Sequence, residues 1–188
     1  MIRNLLIDHL KKHNLKSFID VGCGEGVTAG EIKKALPSLY VKGIDIAKGY
    51  IEKAKKDYPD VKYQVMDVRS LRFKPKTFDL AHTNGVLIHV PHKDIEKVIK
   101  GILWMAREAV FLESQGKEVD ELQLNYDPVE YWNQRPGKEK PDYIEQNTKY
   151  YFSHPYEKLF EKLKLDFKVE KDFKDKNKTR VYRIWQSR

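Results

Sequence analysis

The amino-acid sequence predicts an α/β fold: a doubly wound, mostly parallel sheet of seven strands, with an antiparallel last strand and helices on both faces. Three observations predict this fold class. Short apolar runs alternate with amphipathic helical patterns between about residues 15 and 114. A turn with glycines at alternate positions, Gly22, Gly24 and Gly26, joins the first apolar run to the helical pattern that follows it. Two strand-like runs, at 165–169 and 179–185, are joined by a charged segment. Alternating strands and helices imply parallel pairing with right-handed crossovers, whereas the short connection implies an antiparallel pair.

The predicted elements follow one another in a regular order. Residues 1–14 are expected to form a helix that caps the sheet, because Ile2, Leu6 and Leu10 recur at helical spacing. The chain length of 188 residues suits a single domain over 1–188 with one substantial core. The remaining patterns predict strands from residue 18, over 40–45, within 61–68, from residue 78 and over 109–112, and helices over 27–36, 47–57, 94–105 and 153–163.

Composition narrows the class of protein. The single cysteine, Cys23, excludes an internal disulfide and a multi-cysteine zinc site, so no metal site is expected. No apolar stretch approaches the length of a membrane span, and residues 1–14 lack the uninterrupted apolar core of a signal peptide. The sequence therefore predicts a soluble, cytoplasmic protein without a membrane partner.

The net charge of +8 is unevenly distributed. Residues 156–188 hold 11 Lys and Arg against 6 Asp and Glu, which places +5 of the excess there. A basic surface can bind nucleic acid or acidic small molecules, but it can equally be a solvated face that keeps the protein in solution. Lysines mixed with acids over 168–178 favour the solvated face.

The glycine-rich turn indicates the kind of ligand. A dinucleotide-binding turn has the spacing G-x-G-x-x-G, because a pyrophosphate must sit on the helix N-terminus. Here the spacing is G-x-G-x-G, and Asp20 stands two residues before Gly22. A carboxylate there would repel a pyrophosphate but suits a ligand with an ammonium and a sulfonium group. The segment 18–26 resembles the first motif of the class I methyltransferases, which bind S-adenosylmethionine.

The resemblance extends over about residues 15–114 and implies a Rossmann-like fold with further ligand contacts. An acid at the tip of the second strand, Asp45, would accept both ribose hydroxyls, with Ile46 beside it. Asp67, just past the third strand, would accept from the adenine amino group, and Val68 would offer its backbone N–H to the ring. Each acid could instead be a simple strand-end cap. The predicted cofactor-binding set is Asp20, Gly22, Cys23, Gly24, Gly26, Asp45, Ile46, Asp67, Val68 and Asn84.

Candidate catalytic residues lie after the fourth strand, where the acceptor site of such folds is found. His89 is the best candidate for a general base and Asn84 the second catalytic candidate. Cys23 is expected to pack rather than to act as a nucleophile, and His82 to be a neutral core histidine. His92 and His154 lie at predicted helix starts, where capping explains them as well as chemistry does.

Segment 115–152 departs from helical and strand periodicity and concentrates tyrosines and tryptophan. A long irregular segment in a compact domain is usually functional or mobile, so we interpret it as a cover over the acceptor site. Ordinary packing of aromatic side chains against the sheet edge is the alternative.

The leading hypothesis is methyl transfer from S-adenosylmethionine to an oxygen or nitrogen of a polar small molecule. The fourth strand lacks the Asn/Asp-Pro-Pro-aromatic motif that grips a nucleobase amine, and no Pro-Cys nucleophile follows it. The segment 84–89 shows a weak similarity to methylases found with sugar biosynthesis. Two alternatives stand beside this hypothesis: an RNA methyltransferase or binder using the basic C-terminal region, and a cofactor-binding module without catalysis.

Overall fold

A seven-stranded sheet forms the centre of the molecule in a computed structural model that describes residues 2–113, 154–173 and 179–186. Its strand order is β3-β2-β1-β4-β5-β7-β6. The strands are β1 Ser17–Val21, β2 Tyr40–Asp45, β3 Lys62–Val65, β4 Phe78–Asn84, β5 Ala106–Glu113, β6 Leu165–Asp172 and β7 Arg180–Gln186. The first five pair in parallel, whereas β7 is antiparallel to both β5 and β6. The predicted fold class is confirmed.

Five α-helices cover both faces of the sheet within the described residues. They are α1 Ile2–Lys12, α2 Val27–Ala35, α3 Lys48–Asp57, α4 His92–Met105 and α5 Tyr156–Lys162. One hydrophobic cluster joins α1, α2 and α3 to one face, through residues such as Leu10, Ile32 and Ile51. The other joins α4 and α5 to the opposite face, through Ile99 and Phe160. Both faces of the central strands β1, β4 and β5 are therefore mostly buried, whereas the edge strand β3 exposes three of its four residues.

Several element boundaries differ from the predicted ones; β6, for example, continues to Asp172 and not only to residue 169. The third strand ends at Val65, and a short 3-10 helix, Val68–Ser70, follows it with Asp67 as its N-cap. The fifth strand is longer than 109–112, because main-chain pairing with β4 and β7 continues to both ends. The last helix begins at Tyr156 with Pro155 as its N-cap, not at Ser153, which lies outside the described residues.

The C-terminal hairpin closes one edge of the sheet. Strand β6 contains a register irregularity between Val169 and Lys171 where it pairs with β7. Arginines of β7 form ion pairs across the hairpin and beyond it, from Arg180 to Asp172 and Glu157 and from Arg183 to Glu170 and Glu108. In the described part of the hairpin, both arginines of β7 are therefore balanced by acids, as the solvated-face interpretation expects.

Candidate functional site

A cleft of about 210 Å³ lies at the carboxyl ends of the central strands. Because β1 is flanked by β2 and β4, whose following helices cover opposite faces, the cleft lies where the direction of winding reverses, the usual ligand site of such sheets. Eight of the sequence-predicted site residues line it: Gly22, Gly24, Asp45, Ile46, Asp67, Val68, Asn84 and His89. Sequence reasoning missed Tyr50, Met66, Arg69 and Val90, which also contribute to the wall.

The amides of the glycine-rich turn are occupied by strand β2. The N–H groups of Gly22 and Cys23 both donate to the carbonyl of Ile44, at 2.8 and 2.9 Å. The N–H of Gly24 donates to the Asp45 carboxylate at 2.9 Å. Three successive donors that could otherwise bind phosphate oxygens therefore already have acceptors, so this turn is poorly suited to a pyrophosphate.

Asp45 lies at the tip of β2, as predicted, and holds two loops together. One carboxylate oxygen accepts from Gly24 N–H and the other from Ala47 N–H, each at 2.9 Å. Burial raises the pKa of Asp45, and the backbone hydrogen bonds from Ala47, Gly24 and Ile46 oppose that rise. An ionised carboxylate has about four lone-pair positions, so acceptor capacity remains for a ligand in the cleft.

Three predicted binding residues support the turn from behind and do not line the cleft. Asp20 is buried and accepts from the Ala29 N–H, so it caps α2, whose N-cap Gly26 has no side chain. Cys23 is buried, and burial raises the pKa of its thiol well above the ordinary value, so it remains a protonated packing residue. The carbonyl of Gly26 accepts from the Tyr63 hydroxyl at 3.2 Å.

Asp67 reaches the cleft in a close ion pair. Arg69 donates to it from Nε at 2.9 Å, from Nη2 at 2.6 Å and from its backbone N–H at 2.8 Å. Burial alone would raise the pKa of Asp67, but these hydrogen bonds and the positive charge of Arg69 lower it overall. Asp67 is therefore ionised, with its acceptor capacity largely taken by Arg69.

The loop after β4 forms the wall opposite Asp45. Its residues Gly85, Val86, His89 and Val90 line the cleft, together with Asn84 at the strand end. Both candidate catalytic side chains thus lie in one cleft. Sequence reasoning missed a buried carboxylate, Glu113 at the end of β5, which accepts hydrogen bonds from backbone N–H groups of this loop. A lone acid closing an apolar strand was the signal that could have identified it.

The other histidines have structural contacts. His82 is fully buried and its Nδ1 lies 2.8 Å from the Val110 carbonyl, as expected for a core histidine. The His154 ring contacts the carbonyls of Leu87 and Val90 instead of capping its own helix. His92 is the first residue of α4, and its ring packs edge-on against His154. Burial lowers the pKa of His82 and of His154 to about 4, so both rings are neutral near pH 7.

A second depression of about 360 Å³ adjoins the cleft and shares Val68 and Arg69 with it. Arg72 and Lys97 add two further cations to its lining. No ion pair within 4 Å involves either of them among the residues described. This depression therefore presents net positive charge beside the cleft.

Three sequence-based expectations concern the acceptor-site cover, metals and membranes. Segment 115–152, interpreted as the cover, lies outside the described residues. In residues 2–113, 154–173 and 179–186, no group of three or more His, Cys, Asp or Glu side chains is placed to hold a metal ion. No helix in these same ranges is long and apolar enough to span a membrane.

The residues of the cleft fit S-adenosylmethionine. The Asp45 carboxyl and the Asp67–Arg69 ion pair line a space whose walls include the apolar side chains of Met66 and Val86, which suits a ligand with ribose hydroxyls and an aromatic ring. Gly24 has a φ of 52°, and a Cβ built on it would meet open space within 4 Å, so the backbone can approach a ligand there. Asp45 and Ile46 would hold the ribose, and Val68 the adenine.

Residues 18–108 match the family model described as "Methyltransferase domain". The chain is 32% identical over 74 residues to a trans-aconitate 2-methyltransferase of Methylobacterium nodulans, covering 39% of this chain and 28% of that protein. It is 28% identical over 120 residues to ribosomal RNA large subunit methyltransferase G of Shewanella sediminis, covering 58% and 27%. The chain thus spans little more than a quarter of these relatives.

A solved structure shares the fold over nearly the whole chain. The plantazolicin methyltransferase BpumL, in complex with a monoazolic desmethylPZN analog and SAH, aligns with a TM-score of 0.69 at 13% identity, over 99% of this chain and 82% of that one. Together with the family match over 18–108, this fold confirms the resemblance seen in the motifs. Residues 18–108 thus carry the similarity to the methyltransferase family, and the fold is shared with solved S-adenosylmethionine-dependent methyltransferases.

Proposed function

We propose that this protein transfers the methyl group of S-adenosylmethionine to an oxygen or nitrogen of a polar small molecule. The observation that carries the proposal is the occupied glycine turn beside the Asp45 carboxyl: it removes phosphate-binding amides and leaves an acceptor for ribose hydroxyls. The trans-aconitate 2-methyltransferase similarity supports a polar acceptor. A cytoplasmic location stays a prediction.

The chain's own residues would act mainly by alignment. The bound cofactor supplies an activated, positively charged methyl donor. Transfer from such a donor needs the acceptor atom in line with the methyl and sulfur atoms and shielded from water. His89 and Asn84 line the cleft and are proposed to face the acceptor, with His89 taking its proton where one must leave.

Calorimetry with the product S-adenosylhomocysteine and with NAD tests the cofactor assignment. We expect S-adenosylhomocysteine to bind with a micromolar Kd and NAD to give no heat, since its pyrophosphate would meet carboxylates and occupied amides. NAD binding without S-adenosylhomocysteine binding would contradict the assignment.

The acceptor can be sought directly from the purified protein. Mass spectrometry of small molecules that co-purify with it, followed by methyl-transfer assays on those candidates, would identify the acceptor class. The variant His89→Gln keeps a hydrogen-bonding side chain but removes the base. We expect it to lower kcat and leave S-adenosylhomocysteine affinity within about twofold.

RNA is the second candidate acceptor, and one observation favours it. The basic depression adjoins the cleft, and phosphates of a bound strand would meet the cations Arg72 and Lys97 there. The similarity to a ribosomal RNA methyltransferase points the same way. The C-terminal hairpin gives this candidate less support than the sequence suggested, because Arg180 and Arg183 are paired with acids.

A further inference from the structure

The loop 85–90 forms one wall of the cleft and contains the proposed base His89. Its centre is a single 3-10 turn, Leu87–His89, whose N-cap Val86 has no side-chain capping bond. A turn this short cannot satisfy its own terminal N–H and C=O groups, so partners must come from elsewhere in the fold.

Glu113 supplies acceptors to the beginning of this turn. Its Oε1 accepts from the Val86 N–H at 3.1 Å and from the Thr83 hydroxyl at 2.8 Å. Its Oε2 accepts from the Leu87 N–H at 3.2 Å, and the Ile88 N–H donates to the same carboxyl. Glu113 is fully buried, so no water can take over these bonds.

His154 donates hydrogen bonds to carbonyl groups at the end of the turn. Its Nε2 lies 3.0 Å from the Leu87 carbonyl and 2.9 Å from the Val90 carbonyl, and since both partners can only accept, Nε2 carries the proton and donates. The side chain is buried. A buried acceptor thus binds the amides of the loop, and a buried donor binds its carbonyls.

We infer that Glu113 and His154 are positioning residues that cap loop 85–90 at its two ends and thereby hold the cleft wall, with His89, in its binding geometry. The inference rests on the proposed methyltransferase function only for its consequence on catalysis. Glu113 and His154 lie 41 positions apart in the sequence, yet both bind loop 85–90.

The experiment compares Glu113→Gln and His154→Phe with the matched control His82→Phe. The glutamine keeps one acceptor oxygen at position 113 but replaces the other with an NH₂ group, which opposes the amides of the loop. The phenylalanine at position 154 removes the donor to both carbonyls. His82 is an equally buried histidine, but its bond is to the Val110 carbonyl on β5 and not to loop 85–90. Its replacement by phenylalanine therefore reports the cost of losing such a bond elsewhere.

Amide hydrogen exchange of the full-length protein gives the first measurement. We expect the Val86, Leu87 and Ile88 amides to exchange at least tenfold faster in Glu113→Gln, with the amides of β1 unchanged. In His154→Phe the whole loop should exchange faster, and His154→Gln, whose side-chain NH₂ can reach the same carbonyls, should restore part of the protection. His82→Phe should leave the loop at the wild-type rate.

S-adenosylhomocysteine affinity gives the second measurement. We expect a loss of about tenfold in Glu113→Gln and His154→Phe, and less than twofold in His82→Phe at a comparable fall in Tm. Wild-type exchange rates at 86–88 in a folded Glu113→Gln or His154→Phe would overturn the inference, as would equal effects of His82→Phe. If one variant fails to fold, the other decides. If the wild type binds no S-adenosylhomocysteine, the proposed function fails while the exchange experiment still decides on the capping.

Discussion

Asp45 contributes to the stability of the turn as well as to the proposed ligand site. The sequence predicted a ribose acceptor at the strand tip, and in the structure the Asp45 carboxylate also accepts the N–H groups of Gly24 and Ala47. Replacing it with alanine leaves both donors without this partner. Asp45 is therefore both a proposed ligand-binding residue and a residue that stabilises the turn.

The variant Asp45→Ala should weaken S-adenosylhomocysteine binding by about 2–4 kcal/mol, because the ribose hydroxyls lose a charged acceptor. It should also lower the free energy of unfolding of the ligand-free protein by about 1–3 kcal/mol. Calorimetry and chemical denaturation measure the two effects. Unchanged cofactor affinity would show that another group binds the ribose. Asp60→Ala, an exposed acid, serves as control.

Asp20 makes stability depend on pH. Burial and the negative charge of Asp45 raise its pKa from 3.8 to about 7, against a hydrogen bond from Ala29. The folded protein therefore holds this proton more tightly than the unfolded chain does. The resulting stability is fully present below about pH 4 and is lost as the pH rises to about 7.

Asparagine at position 20 cannot ionise and can still accept from Ala29. The unfolding free energy of Asp20→Asn, relative to that of the wild type, should therefore increase as the pH rises from 4 to 7. Denaturation curves at intervals across this range measure it. A difference that stays constant over the range would show that Asp20 titrates normally in the folded state.

At the scale of elements, the glycine turn and the loop after β4 are fitted to each other. Gly22 and Gly24 both have positive φ, at 71° and 52°. A Cβ on Gly22 would lie 2.2 Å from Cγ2 of Val86, whereas one on Gly24 would meet nothing within 4 Å. Both glycines thus need a positive φ, but only Gly22 packs against Val86, so substitutions at the two positions can be compared to isolate the effect of that contact.

Gly24→Ala should cost about 1–2 kcal/mol of unfolding free energy, because it places an L side chain in the left-handed region. Gly22→Ala should cost about 1–3 kcal/mol more, since the clash with Val86 adds overpacking. Denaturation gives the free energies, and nuclear magnetic resonance shifts of Val86 report the displaced wall. An equal loss of unfolding free energy in both variants would mean that the loop after β4 moves away from the new methyl group without a measurable energetic penalty.

The sequence motifs predicted the parallel strands and the residues at their ends better than they predicted the contacts of the loops. Acids and glycines at strand ends are local features, so Asp45, Asp67 and the turn could be placed from their order along the chain. The partners of those residues could not. Arg69 pairs with Asp67 through a 3-10 turn that has no apolar periodicity, and Glu113 meets Val86 only because β5 lies beside β4. The Asp67–Arg69 contact is local but lies in a turn without periodicity. Glu113 stands out as an acid that closes an apolar strand, but nothing in the local sequence shows that its partner is Val86, 27 residues away.

For the whole molecule, the position of the positive charge matters more than its amount. Cations of the C-terminal hairpin are largely compensated by Glu157, Glu170 and Asp172, whereas Arg72 and Lys97 are not paired in this way among the described residues. Any polyanion should therefore be held near the cleft and not along β6 and β7.

Filter binding of a generic single-stranded RNA tests this distribution. The double variant Arg72→Ala/Lys97→Ala should weaken binding and reduce the salt slope by about 1–2, because two phosphate contacts are lost. The matched double variant Lys168→Ala/Lys171→Ala removes the same charge from β6 and should have a smaller effect. A larger loss of binding in Lys168→Ala/Lys171→Ala would place the polyanion on the hairpin. If the wild type binds no RNA, the small-molecule acceptor remains as the only candidate of the two.

The register irregularity in β6 has a consequence for association between molecules. Within the described residues, β3 and β6 are the two edges of the sheet, and an edge strand presents main-chain groups that can pair with another chain. Lysines occupy both edges, at Lys62 on β3 and at Lys168 and Lys171 on β6, and the irregularity beside Lys171 breaks the straight ladder a second molecule would need. Edge-to-edge stacking into fibres is thereby disfavoured at both ends of the sheet.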